Sequence, residues 1–240
     1  MKTLIVIPVR MASRRFPNKP MKLLKGKPMI QRVWEQAVSS SLGDVIVACC
    51  EREVQDLIVS LNGKAELTDP NLPSGTDRVY AAIQKYSNIN QYDSIINLQG
   101  DIPLIDPKDI EQVNFPLRQG YDIGTLVTSL KDDNEAQDIN ITKANIEWIK
   151  KELIGRAIDF NKNIHSLRGK NNYHHVGIYS FRYKTLEKFI SLPPSDNENI
   201  RQLEQMRALD SNMSIGVAYI KNAPIGVDTV EDLLKIEKLI

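Results

Sequence analysis

The chain has 240 residues, 42% of them apolar and 25% charged, as in an average globular protein. The net charge of +1 argues against a general nucleic-acid binder, and the apolar content argues against disorder. The apolar run at residues 4–9 is far shorter than the ~20 residues of a membrane-spanning helix, and arginines follow it, so neither membrane insertion nor secretion is expected. The two cysteines, Cys49 and Cys50, are adjacent, which excludes a disulfide framework and a structural zinc site. We expect a soluble, cytoplasmic protein.

In the first half of the chain, apolar segments alternate with helical patterns. Segments rich in β-branched residues predict buried strands at 2–9, 44–49, 94–98 and 123–129. Apolar residues at helical spacing predict helices at 28–40, 52–61, 76–86 and 107–118. This alternation is typical of a parallel α/β sheet with right-handed crossovers.

After about residue 130 the alternation weakens. We predict strands at 142–148, 173–181 and 215–220, helices at 183–191, 200–209 and 229–239, and a polar loop region at 150–172. The expected fold is one α/β domain over residues 1–240, with a mostly parallel central sheet flanked by helices and an inserted excursion at about 130–182.

The loop after the first strand is the most unusual segment. In open α/β sheets, ligands bind beyond the carboxyl ends of the strands, and here residues 10–27 hold seven cations and no acid. Pro17 and Pro20 restrict its backbone. Arginine and lysine bind phosphate oxygens, so the loop suits a polyphosphate, although a solvated basic loop without a special role is the alternative. Neither a Walker loop nor G-x-G-x-x-G occurs, so any nucleotide is held by another device.

Two aspartates are candidate ligands of a hard cation. Asp101 directly follows a predicted strand in Q-G-D, and Mg²⁺ commonly takes one or two carboxylates together with phosphate oxygens and water. A turn or cap role is the alternative for Asp101. Asp228 either caps the last helix with Glu231 or is left free by a capping box of Thr229 and Asp232.

Polar residues also interrupt two later apolar patterns. In the strand predicted at 173–181, alternation places His175 and Tyr179 on one face and His174 on the other. In the helix predicted at 200–209, Glu204 and Gln205 lie beside an apolar stripe. A hydrogen-bonded histidine is favoured here over a metal ligand, because nothing supplies the remaining ligands.

Six motifs occur in one order along nearly the whole chain: V-I-P-V-R-M-A-S-R-R-F-P-N-K-P, S-G-T-D-R, Q-G-D, H-V-G-I-Y, L-E-Q-M-R and G-V-D-T. Each is weak alone, but together they closely resemble the 3-deoxy-D-manno-octulosonate (Kdo) cytidylyltransferase family. The resemblance implies a nucleotide-diphosphosugar transferase (Rossmann-like) fold and a homodimer. It also implies that CTP and Kdo react with Mg²⁺ to give CMP-Kdo and pyrophosphate for lipopolysaccharide synthesis.

The same resemblance implies residue roles. It assigns catalysis to Arg10, Arg15, Lys19, Asp101 and Asp228, the two aspartates being the metal ligands. The nucleotide-binding residues that it implies are Pro8, Arg10, Ser13, Arg15, Lys19, Ser74, Gly75, Arg78 and Gln99. The sugar-binding residues that it implies are Gln99, Arg156, His175, Tyr179, Glu204 and Gln205.

Two segments depart from the family pattern. The acid that usually follows the second strand in A-T-D is missing from A-C-C at 48–50. The usual Y-F-S-R-x-x-I-P is replaced by L-I-G-R-A-I-D-F at 153–160, which keeps Arg156 but loses the aromatics and the proline. A modified octulosonate, such as the 8-amino analogue, is therefore a second candidate substrate.

Three other functions are compatible with parts of the pattern. A cytidylyltransferase for a nine-carbon, sialic-type acid shares the basic loop, but is not expected to contain H-V-G-I-Y or L-E-Q-M-R. A metal-dependent glycosyltransferase normally has D-x-D, whereas Q-G-D has one acid. A nucleic-acid binder is disfavoured by the low net charge and the aromatic content of 6%.

Overall fold

The structure is a computed structural model that describes residues 1–12, 16–86, 89–167 and 169–240. The chain forms two compact units, one of residues 1–111 and 224–240 and the other of residues 112–223. Both units combine strands with helices, so the predicted α/β class is confirmed. The interpretation of residues 1–240 as a single domain stays a prediction.

A parallel sheet forms the centre of the first unit. The strands of this unit are β1 (Thr3–Pro8), β2 (Leu23–Leu24), β3 (Lys27–Pro28), β4 (Gly43–Cys49), β5 (Lys64–Leu67) and β6 (Ser94–Asn97). β1 pairs in parallel with β4 and β6, and β4 pairs in parallel with β5, while β2 and β3 form a small separate hairpin. Every residue of β1 is buried, which explains its unbroken apolar sequence: both faces of a parallel sheet are covered.

Helices connect these strands. They are α1 (Met29–Ser39), α2 (Arg52–Ser60), α3 (Gly75–Gln84) and α4 (Pro107–Gln112). The single helix predicted at 107–118 is wrong, because α4 stops at Gln112 and α5 (Phe115–Arg118) begins a new helix. Pro116 lies in the first turn of α5, where its missing N–H breaks no helical hydrogen bond.

The second unit has a mixed sheet. After α5, its elements are β7 (Ile123–Thr128), α6 (Asp133–Gln137), β8 (Lys143–Lys150), β9 (Ile154–Asn161), β10 (Asn172–Phe181), α7 (Tyr183–Ser191), α8 (Asp196–Arg201), α9 (Gln205–Asp210) and β11 (Ile215–Tyr219). The strand order is β10-β7-β11-β9-β8, and β8 also pairs with β10. β7 and β11 are parallel, whereas the other pairings between described strands of this unit are antiparallel. The sheet that the sequence predicts to be mostly parallel is therefore parallel in the first unit and mixed in the second.

The chain then returns to the first unit in α10 (Val230–Glu237). Over the described ranges, no helix combines the length and the apolar character that crossing a membrane requires.

Two predictions for the second unit are wrong. The polar loop expected at 150–172 contains β9, in which buried Gly155, Ala157 and Asp159 alternate with exposed Arg156 and Ile158. The lysines of this segment lie outside β9, and the one asparagine of β9 is its last residue, Asn161. The helix expected at 200–209 is interrupted at Gln202, whose left-handed backbone (φ 54°) ends α8 before α9 begins.

Candidate active site

The loop that follows β1 turns back on itself, so that Lys19 lies near the carboxyl end of β1. The Asn18 N–H donates to the Met11 carbonyl at 3.1 Å and closes the loop. Asn18 adopts the left-handed conformation (φ 57°), which asparagine tolerates better than most residues, and a short 3₁₀ turn at Lys19–Met21 follows. The turn fixes the backbone from which the Lys19 side chain extends.

Three oxygen atoms of the described residues surround the Lys19 ammonium. Its Nζ lies 2.8 Å from Asp101 Oδ2 and 3.3 Å from Asp228 Oδ1, and it donates to the Val227 carbonyl at 2.8 Å. The Lys19 side chain is 14% exposed, whereas those of Asp101 and Asp228 are 33% and 46% exposed. The structure therefore brings together three predicted site residues that are far apart in the sequence.

A close approach of two strand ends positions Asp101. A Cβ built on Gly100 would lie 2.3 Å from Val9 Cγ1 and 3.2 Å from the Pro8 carbonyl oxygen, so a larger residue would displace this loop. The Asp101 carbonyl then accepts a hydrogen bond from the Val227 N–H at 2.9 Å. This backbone contact ties the end of β6 to the segment that carries Asp228.

Asp228 is not the cap of the helix that follows it. Thr229 and Asp232 form the capping box of α10, in which Thr229 Oγ1 accepts from the Asp232 N–H at 3.2 Å and the Asp232 carboxylate accepts from the Thr229 N–H at 3.1 Å. Of the two alternatives for Asp228, the one that leaves its carboxylate for another role is confirmed. The preceding residue, Val227, anchors the segment in an apolar cluster with Phe16, Leu24, Met29 and Ile236.

These groups line a cavity of about 510 Å³, a volume typical of small-molecule sites. The predicted residues that line it are Pro8, Arg10, Lys19, Ser74, Gly75, Arg78, Gln99, Asp101 and Asp228. Sequence analysis did not single out Ala12 and Leu72, which also line it. Ser13 and Arg15, two further predicted residues, lie outside the described residues.

The start of α3 contributes positive potential to the cavity. Ser74 is the N-cap, and its Oγ accepts from the Asp77 N–H at 3.0 Å. Ser74 and Gly75 line the cavity, so the positive end of the helix dipole lies at its wall and favours an anion there.

Arg78 adds a fixed guanidinium to the same wall. It is 2% exposed, and its Nη1 donates to Thr68 Oγ1 at 2.5 Å and to the Asp69 carbonyl at 3.1 Å. The remaining N–H groups of the guanidinium are held in one orientation by these bonds, because the group is planar and rigid.

Glu51, which sequence analysis missed, anchors the basic loop. Its Oε1 accepts from the Met11 N–H at 3.0 Å, directly before the segment that the structure does not describe. The signal was the acid one position after A-C-C, where the family pattern has its acid one position earlier.

Burial raises the pKa of the Cys50 thiol and, with Glu51, that of the Cys49 thiol to about 12, so both stay protonated at neutral pH.

In the second unit, three of the predicted sugar-binding residues lie together. The rings of His175 and Tyr179 are 5.6 Å apart, between centroids. Burial and the nearby Glu204 carboxylate raise the pKa of the Tyr179 hydroxyl, so it stays protonated and can donate a hydrogen bond. Gln205 follows Glu204 in the chain and is buried at the start of α9.

Thr125 determines the protonation of the His175 ring. Thr125 Oγ1 lies 3.0 Å from His175 Nε2 and donates its only proton to backbone carbonyls, that of Ile178 at 2.8 Å or that of Val176 at 3.2 Å. With that proton on either carbonyl, Oγ1 accepts from the Nε2–H, and this tautomer satisfies the hydroxyl, a carbonyl and the ring together. Burial lowers the pKa of His175 to about 3, so the ring is neutral and its Nδ1 is an acceptor.

Arginine pairs hold α8 and α9 in place. Arg201 Nη1 lies 2.5 Å from Asp159 Oδ1 and donates to the Phe160 carbonyl at 2.7 Å, which fixes the end of α8 on β9. Arg207 forms a two-pronged pair with Glu198, at 2.7 and 2.5 Å. These pairs position the backbone from which Glu204 and Gln205 extend.

Arg156 is placed differently from these residues. It is exposed on β9, and its charge acts on Tyr121. Its predicted role in binding the sugar acid therefore draws on the resemblance alone.

The donor set around Lys19 fits a hard divalent cation. Within the described residues, no three His, Cys, Asp or Glu side chains converge into a complete metal cage. Mg²⁺, however, is usually held by one or two carboxylates and completes its shell with substrate phosphates and water. Asp101, Asp228 and the Val227 carbonyl already converge on one cationic group, the Lys19 ammonium, so they supply oxygen ligands of the required kind.

Comparisons with known proteins agree on one family. A cytidylyltransferase family model matches residues 4–215. The chain is 41% identical over 238 residues to a 3-deoxy-manno-octulosonate cytidylyltransferase of Paramagnetospirillum magneticum, covering 99% of this chain and 97% of the relative. It is 31% identical to a solved CMP:2-keto-3-deoxy-manno-octonic acid synthetase complexed with CTP, with a TM-score of 0.89 and coverage of 100% of this chain and 98% of that one.

A solved UDP-glucose pyrophosphorylase complexed with UDP-glucose is 14% identical to this chain, with a TM-score of 0.72 and coverage of 100% of this chain and 98% of that one. At this low identity, the likeness shows only that the nucleotidyltransferase fold is shared. The identities and coverage above, together with the gathered motif residues, settle the family: this chain belongs to the 3-deoxy-manno-octulosonate cytidylyltransferases.

Proposed function

We propose that this enzyme transfers CMP from CTP to the anomeric hydroxyl of Kdo and releases pyrophosphate, in the synthesis of lipopolysaccharide. The observation that carries the proposal is the cavity of the first unit, which Arg10, Lys19 and Arg78 line together with Asp101 and Asp228. Cations for a triphosphate and carboxylates for a divalent cation are the groups that nucleotidyl transfer needs, because it depends mainly on positioning and charge neutralisation.

In this proposal Arg10, Arg15 and Lys19 bind the triphosphate, and Ser13 is a further nucleotide-binding residue. The rest of the nucleotide lies against the wall at the start of α3 and the end of β6, which provides Pro8, Ser74, Gly75, Arg78 and Gln99. The described members of this set line one cavity, which supports binding of a single nucleotide.

Nucleotidyltransferases generally use a divalent metal, and we propose that here it is Mg²⁺ held by Asp101 and Asp228. When bound, the ion neutralises phosphate charge and lowers the pKa of the attacking hydroxyl. The anomeric hydroxyl loses its proton to solvent and its oxygen forms a bond to the α-phosphorus, while the bond from the α-phosphorus to the bridging oxygen breaks and pyrophosphate leaves with that electron pair. The basic residues hold the phosphates in line for this displacement.

The sugar acid is recognised in this proposal by Gln99, His175, Tyr179, Glu204 and Gln205, with Arg156 as a partner for its carboxylate. The fixed protonation of His175 supports the assignment, since its Nδ1 can accept from a sugar hydroxyl while Tyr179 donates to another oxygen. A homodimer and a cytoplasmic location, both expected from the sequence, stay predictions.

The test is a panel of sugar acids scored for CTP-dependent release of pyrophosphate. Kdo, 8-amino-Kdo and a nine-carbon sialic-type acid are assayed in parallel with Mg²⁺. We expect release with Kdo or its 8-amino analogue. Release with the nine-carbon acid alone would support the alternative function, and no release with any acid would contradict the proposal.

A matched pair of variants tests the metal ligand. Asp101→Asn removes one carboxylate charge from the cavity, and we expect turnover to be nearly abolished while the circular dichroism spectrum is unchanged. Asp106→Asn makes the same chemical change at an exposed position outside the cavity and should leave turnover as in the wild type. Activity of Asp101→Asn comparable to that of the control would remove Asp101 from the mechanism.

A further inference from the structure

The Lys19 ammonium occupies the place between the two carboxylates that the proposed function gives to a metal ion. Its Nζ is within 3.3 Å of an oxygen from each of Asp101 and Asp228, and it also contacts the Val227 carbonyl. An ammonium and a divalent cation compete for the same oxygens, and two cations brought there together repel each other strongly at such short range. A divalent cation bound by these oxygens would therefore displace the Lys19 ammonium, which would then need another partner.

A triphosphate in the same cavity would offer the Lys19 ammonium a second partner. Lys19 lines the same cavity as Arg10 and Arg78, and its ammonium is a point charge at the end of four methylene groups, which can turn without moving the backbone. The backbone stays fixed because the 3₁₀ turn at Lys19–Met21 contains Pro20.

We infer that Lys19 is a built-in counter-cation: it neutralises Asp101 and Asp228 until CTP enters, and then transfers from these carboxylates to the triphosphate. The inference rests on the proposed function. Its consequence is that the carboxylates become available to the divalent cation when the nucleotide is present. Binding of nucleotide and binding of metal are thus coupled through one side chain, and the coupling is reciprocal.

The test measures metal binding rather than turnover. Mn²⁺ alone is titrated into the protein and followed by electron paramagnetic resonance, without nucleotide and again with saturating CTP and no sugar acid. The variants are Lys19→Gln, which removes the charge, and Lys19→Arg, which keeps it. Lys22→Gln, in the same loop but outside the cavity, is the matched control.

Without CTP, we expect Lys19→Gln to bind Mn²⁺ at least tenfold more tightly than the wild type, Lys19→Arg and Lys22→Gln. CTP should tighten Mn²⁺ binding in the wild type by more than it does in Lys19→Gln, because the competing charge is already absent from that variant. Thermal unfolding of each variant checks that it is folded, and Lys19→Met replaces Lys19→Gln if the latter is not.

Two failures can be distinguished. Equal Mn²⁺ affinities of Lys19→Gln and the wild type without CTP, with tight binding once CTP is added, would overturn the counter-cation role and leave the proposed function standing. If CTP brings about no Mn²⁺ binding in the wild type, or if Asp101→Asn binds Mn²⁺ as the wild type does, the proposed metal site is wrong and the inference fails with it.

Discussion

Acid should destabilise the folded protein through His175. The ring is buried and hydrogen bonded to Thr125, and burial lowers its pKa from 6.5 to about 3. Between these two values the unfolded chain binds a proton that the folded chain does not. The free energy of unfolding therefore falls as the pH is lowered below about 6.5, and the contribution of this histidine is fully present above that value.

The size of the effect follows from the two pKa values. The loss relative to pH 8 is RT ln(1 + 10^(6.5−pH)) as long as the folded pKa lies well below the measured pH. This amounts to roughly 1–2 kcal/mol at pH 5.5 and roughly 2–3 kcal/mol at pH 4.5.

Urea unfolding of three proteins at pH 8 and pH 5.5 measures this loss. His175→Gln keeps an N–H donor for Thr125 but cannot take up a proton, so its change in stability between the two pH values should be smaller than that of the wild type by roughly 1–2 kcal/mol. His165→Gln, at an exposed position, should behave as the wild type does. An equal pH dependence of His175→Gln and the wild type would refute the reasoning, whatever the stability of the variant at pH 8.

Two further predictions concern buried cations. Lys143 is fully buried on β8, and its ammonium donates to the Asp138 and Lys162 carbonyls at 2.5 and 2.7 Å. Lys143→Met leaves both carbonyls without this donor and should lower the free energy of unfolding by about 2–4 kcal/mol, against less than about 0.5 kcal/mol for Lys150→Met at the exposed end of the strand. Equal urea midpoints of the two variants would contradict this. Arg78→Lys loses the rigid fork of the guanidinium at the cavity wall and should raise the KM for CTP about tenfold. Arg52→Lys, at an exposed position, should leave this KM unchanged. Steady-state kinetics at saturating Kdo compare the two variants, and an unchanged KM of Arg78→Lys would count against the role of Arg78.

The first unit could largely be predicted from the sequence. β1 and β4 are apolar because both faces of their parallel sheet are covered, and such segments are easily recognised. The rule that ligands bind at the carboxyl ends of strands then correctly placed the basic loop and Asp101 at one cavity.

Contacts between distant segments could not be predicted in this way. Spacing alone left the role of Asp228 open, and the capping box of Thr229 and Asp232 decided it. Glu51 was missed because its partner is a backbone N–H, which no side-chain pattern reveals. β9 was missed because its alternating buried residues are Gly155, Ala157 and Asp159, while the apolar Ile158 is exposed, so no apolar alternation is visible in the sequence.

The capping box has a consequence for how this enzyme can change. Thr229 and Asp232 start α10 by themselves, so the stability of the C-terminal helix does not depend on the carboxylate of the neighbouring Asp228. Selection or protein engineering can therefore replace that carboxylate without unravelling the end of the chain, and under the proposed function such a change would alter the choice of cation.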